Sequence, residues 1–182
     1  PLNVQQKDAI LYAGRISPDK GIDILMEAFK IVQKEHPNME LLLAGPQPWR
    51  EYMKKLIHEA KELNCRFLGS LELNELIKLY NQTLFTVLPS RSEAFGRTII
   101  EANACGKPVV TSDLPCFREI ITENGLISKL NPVDLAEKML ILIEDDRLRR
   151  KIGKNARKIA EKKFSWKVIA KEYLKLYEEV AS

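Results

Sequence analysis

Six short apolar runs alternate with segments of helical period along this chain, and few folds accept that alternation. The runs lie at residues 9–13, 39–44, 65–68, 84–88, 107–111 and, weakly, 125–127. Between them the apolar positions recur at three- and four-residue spacing, as in Ile24, Leu25, Ala28, Phe29, Ile31 and Val32. Helices are expected at about 22–35, 49–63, 72–81, from the Ser92–Glu101 region to near Gly106, and at 117–121, 132–144, 146–162 and 165–180, with Ser165 capping the last. Strands that alternate with helices form βαβ units, and right-handed crossovers place the helices on both faces of a mostly parallel sheet. The expected class is α/β, with about six parallel strands in one domain. At 182 residues the chain can bury a full core. Residues 1–8 read as a linker from a preceding domain, and 9–182 as the domain itself.

Bulk charge adds exclusions. The net charge is +4, and Lys and Arg are interleaved with Glu on the helix patterns, which argues against nucleic acid as a partner. Cys65, Cys105 and Cys116 are odd in number and lack metal-ligand spacing, as expected of reduced thiols in a cytoplasmic protein. No apolar run approaches the roughly 20 residues of a membrane span, and no signal-peptide pattern opens the chain.

The stretch Ser90-Arg91-Ser92-Glu93-Ala94-Phe95-Gly96-Arg97-Thr98-Ile99-Ile100-Glu101 follows the fourth apolar run and opens a helix. Open α/β sheets bind ligands where a strand's C-terminal end meets such a helix start. The free N–H groups of Phe95, Gly96, Arg97 and Thr98 suit an anion there, and Gly96 permits close approach. Glu93 and Glu101 bracket this anion site, which reads as carboxylates gripping sugar hydroxyls. The bland alternatives are Ser92 as a helix cap with Glu93 as its dipole partner. On a helix that looks largely buried, Glu101 needs a partner, either a core cation or a ligand's hydroxyls. In the loop after the first strand, Gly14-Arg15 and Lys20-Gly21 carry two cations that can converge on one diphosphate or serve as plain surface charge. The loop has neither Walker spacing nor a G-x-G-x-x-G pattern, so NAD and FAD are not expected.

Together, Gly14-Arg15, Lys20-Gly21, Pro89-Ser90, Ser92 to Gly96, Glu101-Ala102, Ala104-Cys105-Gly106, Pro108-Val109-Val110 and Phe164-Ser165-Trp166 resemble the C-terminal domain of family 4 (group 1) retaining glycosyltransferases of GT-B fold. The resemblance covers nearly the whole chain, and Glu93 and Glu101 match the family's Glu-x7-Glu motif. It implies a Rossmann-like domain that binds a nucleoside-diphosphate-sugar donor without a metal or other cofactor. Arg15 and Lys20 would neutralise the diphosphate, Phe95 to Thr98 would clamp it, Glu93 would hold the transferred sugar and Glu101 the ribose. Gly45-Pro46 and Arg66-Phe67-Leu68 would lie near the base. Asp-x-Asp is absent, and His36 and His58 read as surface residues. The resemblance further implies a partner N-terminal domain that binds the acceptor, an inactive isolated domain, and a final helix with Trp166, Ile169, Tyr173, Leu176 and Tyr177 facing that domain or its own. Membrane association, at the inner face, would come only through the other half. Arg97 stands where many relatives are apolar, as a phosphate contact or a surface residue, and Glu119 matches a recurrent structural position. The competing readings are an epimerase-like enzyme acting on the same class of sugar nucleotide, or a regulatory α/β module. The base, sugar and acceptor are not legible.

Overall fold

A computed structural model describes residues 1–2 and 4–181. Asn3, within the expected linker, and the terminal Ser182 lie outside the described residues. The strands are β1 (Ala9–Ala13), β2 (Glu40–Ala44), β3 (Cys65–Gly69), β4 (Thr86–Leu88), β5 (Val109–Ser112) and β6 (Gly125–Ser128). The helices are α1 (Ile22–Glu35), α2 (Arg50–Glu59), α3 (Leu73–Gln82), α4 (Arg97–Ala104), α5 (Pro115–Ile120), α6 (Pro132–Glu144), α7 (Asp146–Phe164) and α8 (Trp166–Ala181). The sheet runs β3-β2-β1-β4-β5-β6, and every neighbouring pair is parallel. The chain winds outward in one direction from β1 and in the other from β4. Its switch point therefore lies between those strands, and the loops that follow them open a crevice at their C-terminal ends.

β1 shows why the central strands read as continuous apolar runs. All five of its residues are buried, because helices cover both faces. Ile10 and Tyr12 join the core beneath α1, α2 and α6, with Phe29, Leu56 and Met139. Ala9, Leu11 and Ala13 face the other way, toward Tyr80 of α3, Ile99 and Ala102 of α4 and Phe117 of α5. Full burial of each large apolar side chain contributes about 1.5–3 kcal/mol, so two-sided cover of this strand anchors the loop that follows it. α7 lies against α4 and continues into α8.

Three sequence expectations need correction. Ser92 caps no helix: the N-cap of α4 is Gly96, at φ +94°, and no side chain caps that end. The helix expected over 49–63 stops at Glu59 and finishes as a short 3-10 turn, Ala60–Glu62. The apolar stripe of α8 is mostly uncovered: no residue of α8 is buried, Trp166 is 86% exposed, and within the stripe only Ile169 is half-buried. The described residues of 1–8 are held to the body, through Leu2 N–H to Asn81 Oδ1 (2.7 Å) and Lys7 N–H to Gln82 O (2.8 Å).

Candidate functional site

The loop after β1 is pressed against its neighbours at two glycines. Gly45 sits at φ +145°, and a Cβ there would lie 1.9 Å from the carbonyl oxygen of Gly14. Gly21, at φ +66°, would put a Cβ 2.0 Å from the carbonyl oxygen of Pro89. Only glycine fits such close backbone contacts. Gly14 N–H donates to Ala44 O (2.9 Å), Gly45 N–H to Gly69 O (2.7 Å), and the hydroxyl of buried Tyr12 to Arg15 O (2.7 Å). The loops after β1, β2, β3 and β4 are thus stitched into one rim.

On that rim the structure brings Lys20 and Glu93 together across the switch point. Lys20 Nζ lies 2.9 Å from Glu93 Oε1, and its side chain is only 16% exposed. It also donates to Ser92 O (3.2 Å) and approaches Asp19 Oδ2 at 3.3 Å. An ammonium has three donors, and each has an acceptor here. Arg15 reaches the same Asp19 oxygen at 3.2 Å, so the two cations meet on a carboxylate that sequence reasoning passed over. Burial tends to raise the pKa of Asp19, yet hydrogen bonds from Ser17 and Lys20 win and hold it below the ordinary carboxylate value. Glu93 also accepts from the hydroxyl of buried Ser90 (3.3 Å).

A second ion pair braces this junction, and sequence reasoning missed it as well. Arg91 makes a two-pronged contact with Asp23 at the start of α1 (2.9 and 2.8 Å). Its guanidinium also donates to Pro18 O (2.7 Å), and its backbone N–H to Asp19 O (2.8 Å). Tyr52 of α2 donates to Asp23 at 3.1 Å. Burial pushes Asp23 upward in pKa, but Arg91 and Tyr52 outweigh it and lower the value. These partners are 29 and 68 residues apart in the chain, so no local spacing could reveal them. Asp19, lying between Pro18 and Lys20, was legible as a loop carboxylate.

The start of α4 is the anion-suited end. The first N–H groups of a helix have no partner inside it, and with Gly96 as N-cap no side chain takes them. The Thr98 hydroxyl donates to Ala13 O (3.2 Å), tying α4 to the end of β1. Phe95 is 51% exposed and stands edge-on to Phe164, at a centroid distance of 6.4 Å. Glu101 is less buried than expected, with a side chain 31% exposed, and both its oxygens are engaged. Arg97 Nε lies 3.0 Å from Oε1, and Tyr80 donates to Oε2 at 3.1 Å. Burial first, and then the charge of Glu101, keep the Tyr80 phenol protonated well above its usual range. Arg97, 87% exposed, contacts Glu101 through an i,i+4 spacing that was readable in the sequence. Phe67 lies on β3 opposite Leu43 and packs against the α1-side core. His36 is not entirely alone, since its Nε2 lies 3.5 Å from Glu144. Among the described residues no group of three His, Cys, Asp or Glu could hold a metal ion, and no helix is long and apolar enough to cross a membrane. The three cysteines are free and half-buried.

Residues 2–159 match the family described as glycosyl transferases, group 1. The chain is 33% identical over 174 residues to an uncharacterised glycosyltransferase, MJ1178, of Methanocaldococcus jannaschii, covering 94% of this chain and 48% of that protein. It superposes with TM-score 0.84 on the Anabaena protein Alr3699/HepE, solved in complex with UDP and glucose, at 26% identity over 97% of this chain and 49% of that one. It also resembles the crystallised C-terminal domain of a group 1 glycosyl transferase, LpcC, from Francisella tularensis (TM-score 0.76, 25% identity, covering 90% and 89%). The chain spans about half the length of the curated relatives it matches.

Proposed function

The chain belongs to the group 1 glycosyl transferases, and we propose that it is the donor-binding half of such an enzyme, transferring a sugar from a nucleoside-diphosphate sugar with retention of configuration and without a metal. The observation that carries this reading is the contact of Lys20 with Glu93 across the switch point, beside the uncapped start of α4. A phosphate anion and a hydroxylated sugar need those two kinds of group side by side. The complex of Alr3699/HepE with UDP and glucose supports a donor of this class.

Arg15, Lys20 and the N–H groups from Phe95 to Thr98 receive the diphosphate. As the bond to the sugar breaks, negative charge grows on the phosphate oxygens. Fixed positive groups stabilise that charge most at the transition state, where it is largest. This replaces the role a divalent cation would have. Glu93, held by Ser90 and Lys20, accepts from hydroxyls of the sugar. Glu101, oriented by Tyr80, accepts from the ribose. The rim at Gly14, Gly45 and Phe67 borders the base. The acceptor binds to an N-terminal domain, against which the exposed face of α8 packs, so this domain alone transfers little. The enzyme works in the cytoplasm.

Calorimetry with UDP, GDP and ADP, with and without EDTA, tests the reading. Binding of at least one nucleotide that survives chelation is expected. No binding at millimolar nucleotide would sink the donor assignment, and binding lost on chelation would sink its metal-free part.

A further inference from the structure

α7 holds the charge of this protein. It carries nine Lys and Arg against Asp146 and Glu161, a net +7, whereas the whole chain is only +4, so the remainder is net −3. The interleaving of charges expected from the sequence fails on this helix. One side of α7 borders a cleft of about 660 Å³ that reaches Leu84 and Pro108, the residues entering β4 and β5. This is the opposite edge of the sheet from the rim that carries Lys20 and Glu93.

Six cations line the cleft: Lys107, Arg149, Arg150, Lys154, Arg157 and Lys158. No described lining residue is acidic. Arg149 and Arg150 pair with Asp146, and Arg157 with Glu161, but among the described residues no carboxylate lies within salt-bridge distance of Lys107, Lys154 or Lys158. Lys107 is half-buried, at the entry to β5, and its ammonium donates to Thr83 O at 2.7 Å. Burial first, and then the charge of Arg149, depress its pKa to about 8. A half-buried cation beside another cation, without a carboxylate, is stabilised by any anion that enters. Gly153 lets α7 approach this point: a Cβ there would lie 2.4 Å from the carbonyl oxygen of Gly106. Leu84 and Pro108 give the cleft an apolar side.

We infer that the cleft between α7 and the entry to β5 is a second anion site, distinct from the donor rim, that binds a phosphate-bearing group on Lys107, Lys154 and Lys158. Phosphate suits the arrangement because a point-charge ammonium cluster recognises a compact multivalent anion without needing the planar fork that a carboxylate favours. The group can belong to a soluble phosphate ester or to a lipid headgroup whose chain meets the apolar side. This inference does not rest on the donor assignment.

The test is residue-resolved NMR of the 182-residue chain titrated with pyrophosphate, beside sedimentation with vesicles of phosphatidylglycerol or of phosphatidylcholine. Resonances of Gly106, Lys107, Gly153, Lys154 and Lys158 are expected to shift saturably. The double variant K154E/K158E should lose those shifts at least tenfold in affinity while its UDP titration is unchanged. K107M, which keeps the stem and removes the charge, should do the same. Pyrophosphate shifts in the cleft without vesicle binding identify a soluble ester; sedimentation with phosphatidylglycerol alone, abolished in K154E/K158E, identifies a lipid headgroup. Shifts confined to the rim around Lys20 and Gly96, or cleft shifts that survive both variants, would overturn the inference.

Discussion

The two edges of one sheet treat positive charge in opposite ways. At the C-terminal edge each cation of the rim already has a carboxylate. Lys20 has Glu93 and Asp19, Arg15 has Asp19, Arg91 has Asp23, and Arg97 has Glu101. At the N-terminal edge Lys107, Lys154 and Lys158 line a cleft without one among the described residues. The difference teaches what each edge can do. A self-neutralised rim is held in shape by its own ion pairs, and the proposed donor would enter by exchange of partners. Largely exposed ion pairs are worth about 0–1 kcal/mol each, so releasing Arg15 from Asp19 costs little. A hydrogen bond to a charged group contributes about 1.5–3 kcal/mol, so the proposed diphosphate would win the exchange. Where no carboxylate is supplied, the first anion to arrive meets no competitor.

The strongest way to break the comparison is Lys20→Ala. If Lys20 serves developing charge, transfer by the intact enzyme should fall about 10²–10³-fold, the scale seen when one preorganised transition-state donor is lost. A modest fall in melting temperature should accompany it, because Glu93 loses a largely buried partner. A large loss of stability with undiminished UDP affinity would make Lys20 a structural pair only. Next in size is Gly45→Ala. Its Cβ would lie 1.9 Å from Gly14 O in a backbone conformation that L residues rarely adopt, so destabilisation of about 2–4 kcal/mol is expected by chemical denaturation. An unchanged midpoint would show that the rim is not stitched there. Tyr80→Phe is milder. It removes one donor from Glu101 and, at about 1 kcal/mol, should weaken uridine binding roughly fivefold. Equal loss of inorganic diphosphate binding would detach Glu101 from the ribose.

The contrast between the edges also explains how far the sequence could be read. Periodicity located the six strands and eight α-helices of the described residues to within about a turn, whereas the strand order, and with it the switch point, is set by the fold. Lys20 and Glu93 were legible because their loop positions follow from β1 and β4. Their partners were less so. Asp23, Arg91 and Tyr52 meet across 29 and 68 residues, and Tyr80 reaches Glu101 across 21. Side-chain pairing over such spans is fixed by tertiary packing alone. The stripe on α8 was visible, but periodicity says which residues share a face and not what covers it. The charge of α7 was misread for a related reason. Averaged over all helices, Lys and Arg alternate with Glu, and only the fold gathers the unpaired ones around Lys107.

The smallest expected effect discriminates best between the edges. A lysine whose pKa is depressed to about 8 in the folded chain binds fewer protons there than when unfolded, where its ordinary value is near 10.5. Between those values the unfolded state holds more protons, so the Lys107 contribution to stability rises as pH increases from about 8 toward 10.5. Solvent screening of this half-exposed group limits the gain to less than about 1 kcal/mol. Cys105 acts with the opposite sign: burial raises its thiol pKa, so the unfolded state loses that proton first and stability falls over the same range. The raw profile therefore mixes the two. The difference between the chain and its K107M variant, measured as melting temperature from pH 7 to 10, cancels the burial of Cys105 common to both and leaves the Lys107 charge with its smaller effect on that thiol. If Lys107 carries an unrelieved charge, the chain should melt below K107M at pH 7 and the gap should narrow steadily as pH rises, and added pyrophosphate should narrow it at pH 7 as well, by stabilising only the chain that keeps the lysine. A difference independent of pH would mean that Lys107 is already neutralised within the fold, and the two edges would then be alike.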